Sequence, residues 1–188
     1  MAELENNKGF ISNVSEGNVI CFHNPDEENG YLSNWYLSKF TVNDVEFSSM
    51  EQYMMYEKAV YFKDAGTAEK ILSTDDGAKI KALGRQGANY NNSYWNGIRQ
   101  IVIFEGLLAK FSQNEDLKEQ LRATGNSILA ECAVRDTIWG IGLSMKDKDR
   151  SEIDKWKGQN LLGLEEQQIG IISCKYAVIV LFDHGEGK

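Results

Sequence analysis

The chain has 188 residues, 42% hydrophobic and 26% charged, which fits a globular protein of ordinary composition rather than a disordered or fibrous one. Its formal net charge of -8 argues against broad attraction to nucleic acid or an anionic membrane, which needs excess Lys and Arg, but leaves room for a small basic pocket. Three cysteines without C-x-x-C spacing and only two histidines point away from a disulfide framework, a zinc site or a histidine relay.

The first residues are polar and acidic, unlike a secretory signal, and no apolar run approaches the ~20 residues of a membrane helix. A reduced, cytoplasmic protein without metal or cofactor is expected. In chain order, residues 1–17 read as a tail and Asn18–Asn24 as a short strand ended by Pro25. Two β-rich runs, Lys39–Val42 and Val45–Phe47, flank Asn43-Asp44 and predict a hairpin. Ser48 followed by Glu51 is a capping-box spacing, so a helix is expected over 49–63. Glu51 and Lys58, seven residues apart, then share one side of that helix at about 10 Å along its axis. Short helices are read at Ala65–Ser73 and Asp76–Leu83, the second ending in Gly84 as a C-cap, with a loop over Gln86–Ser93.

Trp95–Phe111 is the longest expected helix, with Ile98, Ile101, Val102, Leu108 and Phe111 at helical spacing. Glu115–Arg122 reads as a short helix and Ser127–Cys132 as a strand or extended segment. Trp139–Leu143 is a Gly-punctuated loop, followed by a charged insert over 145–155 and a helix over Gln159–Ile169. Tyr176–Phe182, rich in β-branched residues, reads as a terminal strand. The expected fold is α+β and predominantly helical, one domain over 18–188 with a small sheet joining the ends of the chain.

Each residue that stands out has a bland account beside a chemical one. Glu51 is either only the cap of its own helix or a carboxylate on the side that carries the Lys58 ammonium two turns later. Trp35, Trp95 and Trp139 each neighbour small polar residues or Gly, as suits a pocket that stacks a planar ring, but large aromatics also anchor loops. Arg85 and Lys110 lie near helix ends, where they meet a phosphate or merely complement a helix dipole. Asp136 is a turn aspartate or a second carboxylate for chemistry. Cys132 would be a nucleophile only with a base nearby, and a buried small residue is the plainer account. Gly140-x-Gly142 lacks the third glycine and setting of a dinucleotide loop.

In order along residues 20–165, the chain carries Leu32-Ser33-Asn34-Trp35-Tyr36, Glu51-Gln52-Tyr53-Met54-Met55, Lys58-Ala59, Leu83-Gly84-Arg85, Trp95 and Lys110-Phe111. It continues with Thr124-Gly125-Asn126, Asp136-Thr137-Ile138-Trp139-Gly140-Ile141-Gly142-Leu143, Trp156, Gly158 and Asn160-Leu161-Leu162-Gly163. This pattern resembles the NADAR family, the YbiA-like proteins. The resemblance implies a helix-rich α+β domain without metal and N-glycosidase activity. The substrates implied are phosphorylated early riboflavin intermediates or ADP-ribosylated guanine. It implies Glu51 and Asp136 as the residues tied to activity; for such a substrate Lys58, Arg85 and Lys110 are candidates for the phosphate, and Asn34, Trp35, Trp95 and Trp139 are candidates for base stacking and edge contacts. Gly140 and Asn160 join them as further substrate-binding candidates from the same motifs. The family's closing Leu-Met…Arg segment is replaced here by Gln167–Lys175, which leaves Lys175 as a weak stand-in for the arginine. Two other readings stay open: a non-catalytic module that binds ADP-ribose or NAD, and an inactive structural relative.

Overall fold

The computed structural model describes residues 18–183, with side chains through Ile172; the expected tail over 1–17 and the side chain of Lys175 lie outside these. The chain divides into two compact units. One, the helical unit, takes Asn24–Asp26 and Gly30–Leu117; the other, the strand-pair unit, takes the remaining described residues. The architecture is α+β and mostly helical.

In the helical unit, β2 (Phe40–Val42) and β3 (Val45–Phe47) pair antiparallel, with Phe40 opposite Phe47. Asn43 and Asp44 have φ of 49° and 63°, the pair of positive angles that a two-residue hairpin turn of the right twist requires. Helix α1 (Met50–Tyr61) follows at once. Its cap is Ser49 rather than the expected Ser48: the Ser49 hydroxyl accepts from Gln52 N at 3.2 Å, and Gln52 Oε1 reaches back to Ser48 N at 2.7 Å. Ser48/Glu51 and Ser49/Gln52 both have capping-box spacing, and the second pair is the one used. The other end of the same amide donates to Ile71 O and Thr74 O, which fixes the end of α2 (Ala65–Leu72) against α1.

Helix α3 (Gly77–Gln86), capped by Asp76, runs past the expected stop. Gly84 lies inside it, buried against Met55, and any side chain there would run into that methionine; Gly87 takes the C-cap instead. Helix α4 (Asn92–Gln113) starts at the Asn91 cap, three residues before Trp95. Its buried stripe is Trp95, Arg99, Ile103, Gly106, Leu107, Lys110 and Phe111. Ile101 and Leu108, expected inside, are 62% and 41% exposed. Two cations on the buried stripe disguise it, so an apolar count alone misplaces the face. Helices α2, α3 and α4 all pack on α1, and an aromatic group of Phe40, Phe47 and Tyr53, with ring centroids 5.1–5.9 Å apart, closes the hairpin onto it. Helix α5 (Glu115–Ala123) runs from the end of this unit into the next.

In the strand-pair unit, β1 (Val19–Phe22) runs parallel to β4 (Ile128–Glu131), in register Val19–Ile128 through Phe22–Glu131. Behind the pair lies a core of Ile128, Ala130, Cys132, Ile141, Leu143 and Trp156. Helix α6 (Leu161–Asp183) packs on β4. The terminal strand expected over Tyr176–Phe182 is instead the last two turns of α6. A short apolar run does not distinguish strand from helix by itself, and a helix already nucleated upstream extends at little further loss. The small sheet therefore joins β1 to β4 and not to the end of the chain.

Candidate active site

Glu51 stands in the first turn of α1 and is 2% exposed. Ser49 and Gln52 perform the capping, so the Glu51 carboxylate is not needed for it. Its backbone N–H donates to Asn34 O at 2.8 Å, which binds the buried Ser33-Asn34 segment to the start of the helix. Two turns on, the Lys58 ammonium donates to Gly84 O at 2.9 Å and sits over the Tyr90 ring, 4.2 Å from its centre. Burial and the nearby Arg85 guanidinium push the Lys58 amine below its ordinary range, and Glu51 opposes that shift. Arg85 is exposed in the last turn of α3. One buried carboxylate and one exposed guanidinium thus lie within electrostatic reach of the half-buried Lys58 ammonium. Of the candidates in this unit, Glu51 and Arg85 each act on Lys58 electrostatically, and Asn34 meets Glu51 through the backbone.

The other candidates in the helical unit are placed differently. Trp35, 37% exposed, lies with its ring on the Gly77 backbone and the Lys81 ammonium 5.7 Å above it. It lines an open cleft of about 540 Å³ with Tyr36, Asp26, Asp75 and Asp76. Trp95 is 6% exposed, in the first turn of α4, so its ring packs inside and offers little open face for stacking. Lys110 is fully buried; its ammonium donates to Tyr31 O at 2.6 Å and lies 5.0 Å from the centre of the Phe111 ring. That is the setting of a cation that holds the Gly30–Leu32 turn, not of one that meets a solvated phosphate.

In the strand-pair unit, Asp136 is half-buried and its Oδ1 accepts from Ile138 N at 3.1 Å and Trp139 N at 2.9 Å. One carboxylate oxygen therefore fixes the turn that carries Trp139, itself half-buried. Gly140 is buried with no room for a side chain: a Cβ there would meet Glu131 O at 2.8 Å. Asn160, fully buried and at φ 54°, accepts from Glu131 N at 3.0 Å and donates to Leu129 O at 2.7 Å. Both ends of its amide are thus committed to the β4 backbone, which makes it a clamp.

Sequence reasoning missed the roles of Gln52, Gly84 and Tyr90. Gln52 was visible only as a neighbour of Glu51, Gly84 read as a stop, and Tyr90 lay in a stretch read as loop. Each acts through contacts distant in sequence, such as Lys58 with Gly84 and Tyr90. Among the described residues, no three His, Cys, Asp or Glu side chains gather where they could hold a metal ion, and no helix is long and apolar enough to cross a membrane.

Comparison with known proteins extends this geometry. The NADAR domain model matches residues 21–168. N-glycosidase R617 of Acanthamoeba polyphaga mimivirus is 38% identical over 152 residues, 77% of this chain and 89% of that protein. The riboflavin biosynthesis protein VVA0006 of Vibrio vulnificus is 36% identical over 131 residues, 70% of this chain and 35% of that protein. The NMR structure of the E. coli protein YbiA aligns with a TM-score of 0.71 over 86% of this chain and 88% of that one, at 23% identity.

Proposed function

The chain belongs to the NADAR domain family, and on that footing we propose that it is an N-glycosidase hydrolysing the ribose-to-nitrogen bond of a phosphorylated, ribosylated base. The observation that carries this reading is Glu51: a carboxylate 2% exposed, in a helix that Ser49 and Gln52 cap, within electrostatic reach of Lys58, which Arg85 also reaches. The names of the mimivirus and Vibrio relatives support the reaction and the substrate class respectively.

Cleavage of such a bond develops positive charge on the ribose ring, so a preorganised carboxylate in a dry setting lowers the barrier and can also orient or activate water. Glu51 serves that purpose in this reading. Lys58 and Arg85 hold the phosphate, which reconciles an anionic ligand with a net charge of -8. The departing base must gain a proton or a hydrogen bond. Asp136 enters on the family motif alone, as the second residue tied to activity; its Oδ1 holds the 136–139 turn. Trp35 is the exposed aromatic platform for a base.

The test is a release assay with two substrates, the ribosylaminopyrimidine phosphate of riboflavin synthesis and an oligonucleotide carrying ADP-ribosyl-guanine. The proposal expects turnover of the first, lost in Glu51→Gln and in Asp136→Asn. Turnover of the oligonucleotide alone would keep the glycosidase and replace its substrate. Absence of turnover, with ADP-ribose binding that survives both substitutions, would make the protein a binding module.

A further inference from the structure

The outer face of α4 carries a row of apolar side chains that the packing of the helical unit does not use. Tyr94, Ile101 and Leu108 are 65%, 62% and 41% exposed, and each stands two turns from the next. Ile98 and Phe104, half-buried, lie between them on the same side, so the row runs about 21 Å at 1.5 Å per residue. Of the three charged residues of α4, Arg99 and Lys110 lie on the buried stripe on the opposite side of the helix. That leaves Glu105 as the one charge on the outer face, within electrostatic reach of Glu57 on α1. The other surface helices differ: α2 exposes Glu69 and Lys70, and α5 exposes Glu115, Asp116 and Glu119. Scarce charge beside exposed aromatic and aliphatic side chains is the composition of an interface core, not of a solvated helix face. Gly97 is a second mark. It lies inside α4, and among the described residues no other part of the fold comes within 4 Å of the place its Cβ would take. A glycine inside a helix costs backbone entropy that alanine would save, and packing within the chain gives no reason for it here. A second helix approaching closely along this face gives one.

We propose that this face of α4 is the contact between two copies of the chain, paired antiparallel about a two-fold axis at Ile101. A two-fold contact sets residue i beside j and j beside i. Centred on Ile101, it puts Tyr94 beside the partner's Leu108 and Ile98 beside the partner's Phe104, while Ile101 meets its own counterpart. The apolar row reads the same from either end, so each member finds another. Gly97 falls beside the partner's Glu105, where its missing side chain leaves room for the longer one. Charge selects a second copy over an acidic or basic partner. A face nearly without charge offers no complement to a charged surface, and two chains of net charge -8 repel least where they meet through neutral side chains. One helix face is smaller than the roughly 20–30 residues a side of a standard interface, so the pair belongs to the micromolar class and not the obligate one.

Sedimentation velocity of the full-length protein tests this from about 1 to 200 μM, the span over which a micromolar dimer fills. The expected result is a shift from monomer to dimer as concentration rises. Ile101→Glu and Ile101→Lys should each weaken the dimer by about tenfold or more, because the new charge meets its own kind across the axis. Mixed in equal amounts, the two variants should restore it as a heterodimer, a result that neither misfolding nor a contact elsewhere would produce. Ile101 is exposed in the single chain, so each variant should melt within a few degrees of the parent. Benzoylphenylalanine in place of Tyr94 should photocross-link to the segment around Leu108 of the second copy. A parent chain that stays monomeric at the upper concentration would overturn the proposal, as would a dimer that Ile101→Glu leaves intact. A cross-link from position 94 to residues 1–17 of the same chain would overturn it too, and give the face to that segment.

Discussion

At the scale of single residues, the decisive distinction is between side chains that hold the fold and side chains left for chemistry. Asn160 belongs to the first kind. Its amide pairs with Glu131 N and Leu129 O, and its backbone sits at φ 54°, where Asn is better tolerated than most residues. Asn160→Ala should lose about 3 kcal/mol or more, because two buried backbone groups lose their partners at a strained position; a denaturant titration reads this directly. Asn160→Asp should lose a comparable amount, since it presents an oxygen instead of an N–H to Leu129 O. Lys58 is of the second kind, half-buried between Gly84 O and the Tyr90 ring. Lys58→Met should leave thermal stability within a few degrees but raise KM for a phosphorylated substrate about tenfold or more, as loss of one charged contact does. The motifs marked both residues alike. Both ends of the Asn160 amide are engaged by backbone, whereas the Lys58 ammonium has three donors and gives one to Gly84 O.

At the scale of elements, α1 is the organising piece of the helical unit, and its neighbours show what patterns in a sequence convey. The hairpin was legible because Asn43-Asp44 states its backbone angles in its composition. The start of α1 was legible to within one residue, since two overlapping capping boxes differ only in which serine turns outward. The buried face of α4 was not, because Arg99 and Lys110 lie on it, and neither was the helical course of Tyr176–Phe182, where local β-propensity yields to a helix already under way. Gly84 was visible as a glycine but not as the point where α3 touches α1 at Met55. Gly84→Ala should therefore destabilise by about 1–3 kcal/mol by overpacking, although in an exposed helix the same change stabilises. Glu57 on α1 gives a pH-dependent test. Burial, and Glu105 after it, raise the Glu57 carboxyl above its ordinary 4.5, so the folded state holds that proton more tightly than the unfolded chain. Its contribution to stability is fully present below the unfolded value and is lost as pH rises through the folded one. Glu57→Gln should accordingly melt higher than the parent at pH 7, and the gap should close as pH falls to about 4.

At the scale of the whole molecule, family membership was legible because the motifs survive in order along most of the chain, independent of how each residue packs. The net charge of -8 leaves cations scarce, which gives weight to the pair Lys58 and Arg85 near a buried carboxylate. Helical and paired-strand parts each build their own core, and the proposed chemistry draws its principal residue from the helical one. The central question is whether Glu51 acts on a substrate or only on its own helix. The measurement that decides this is the single-turnover release rate of Glu51→Gln beside its melting temperature. The predicted result is a rate lower by about a hundredfold or more. It should come with a melting temperature within about 4 °C of the parent, since Ser49 and Gln52 keep the cap. A rate near the parent's, or a loss matched by unfolding at the assay temperature, would contradict it and return Glu51 to a structural role.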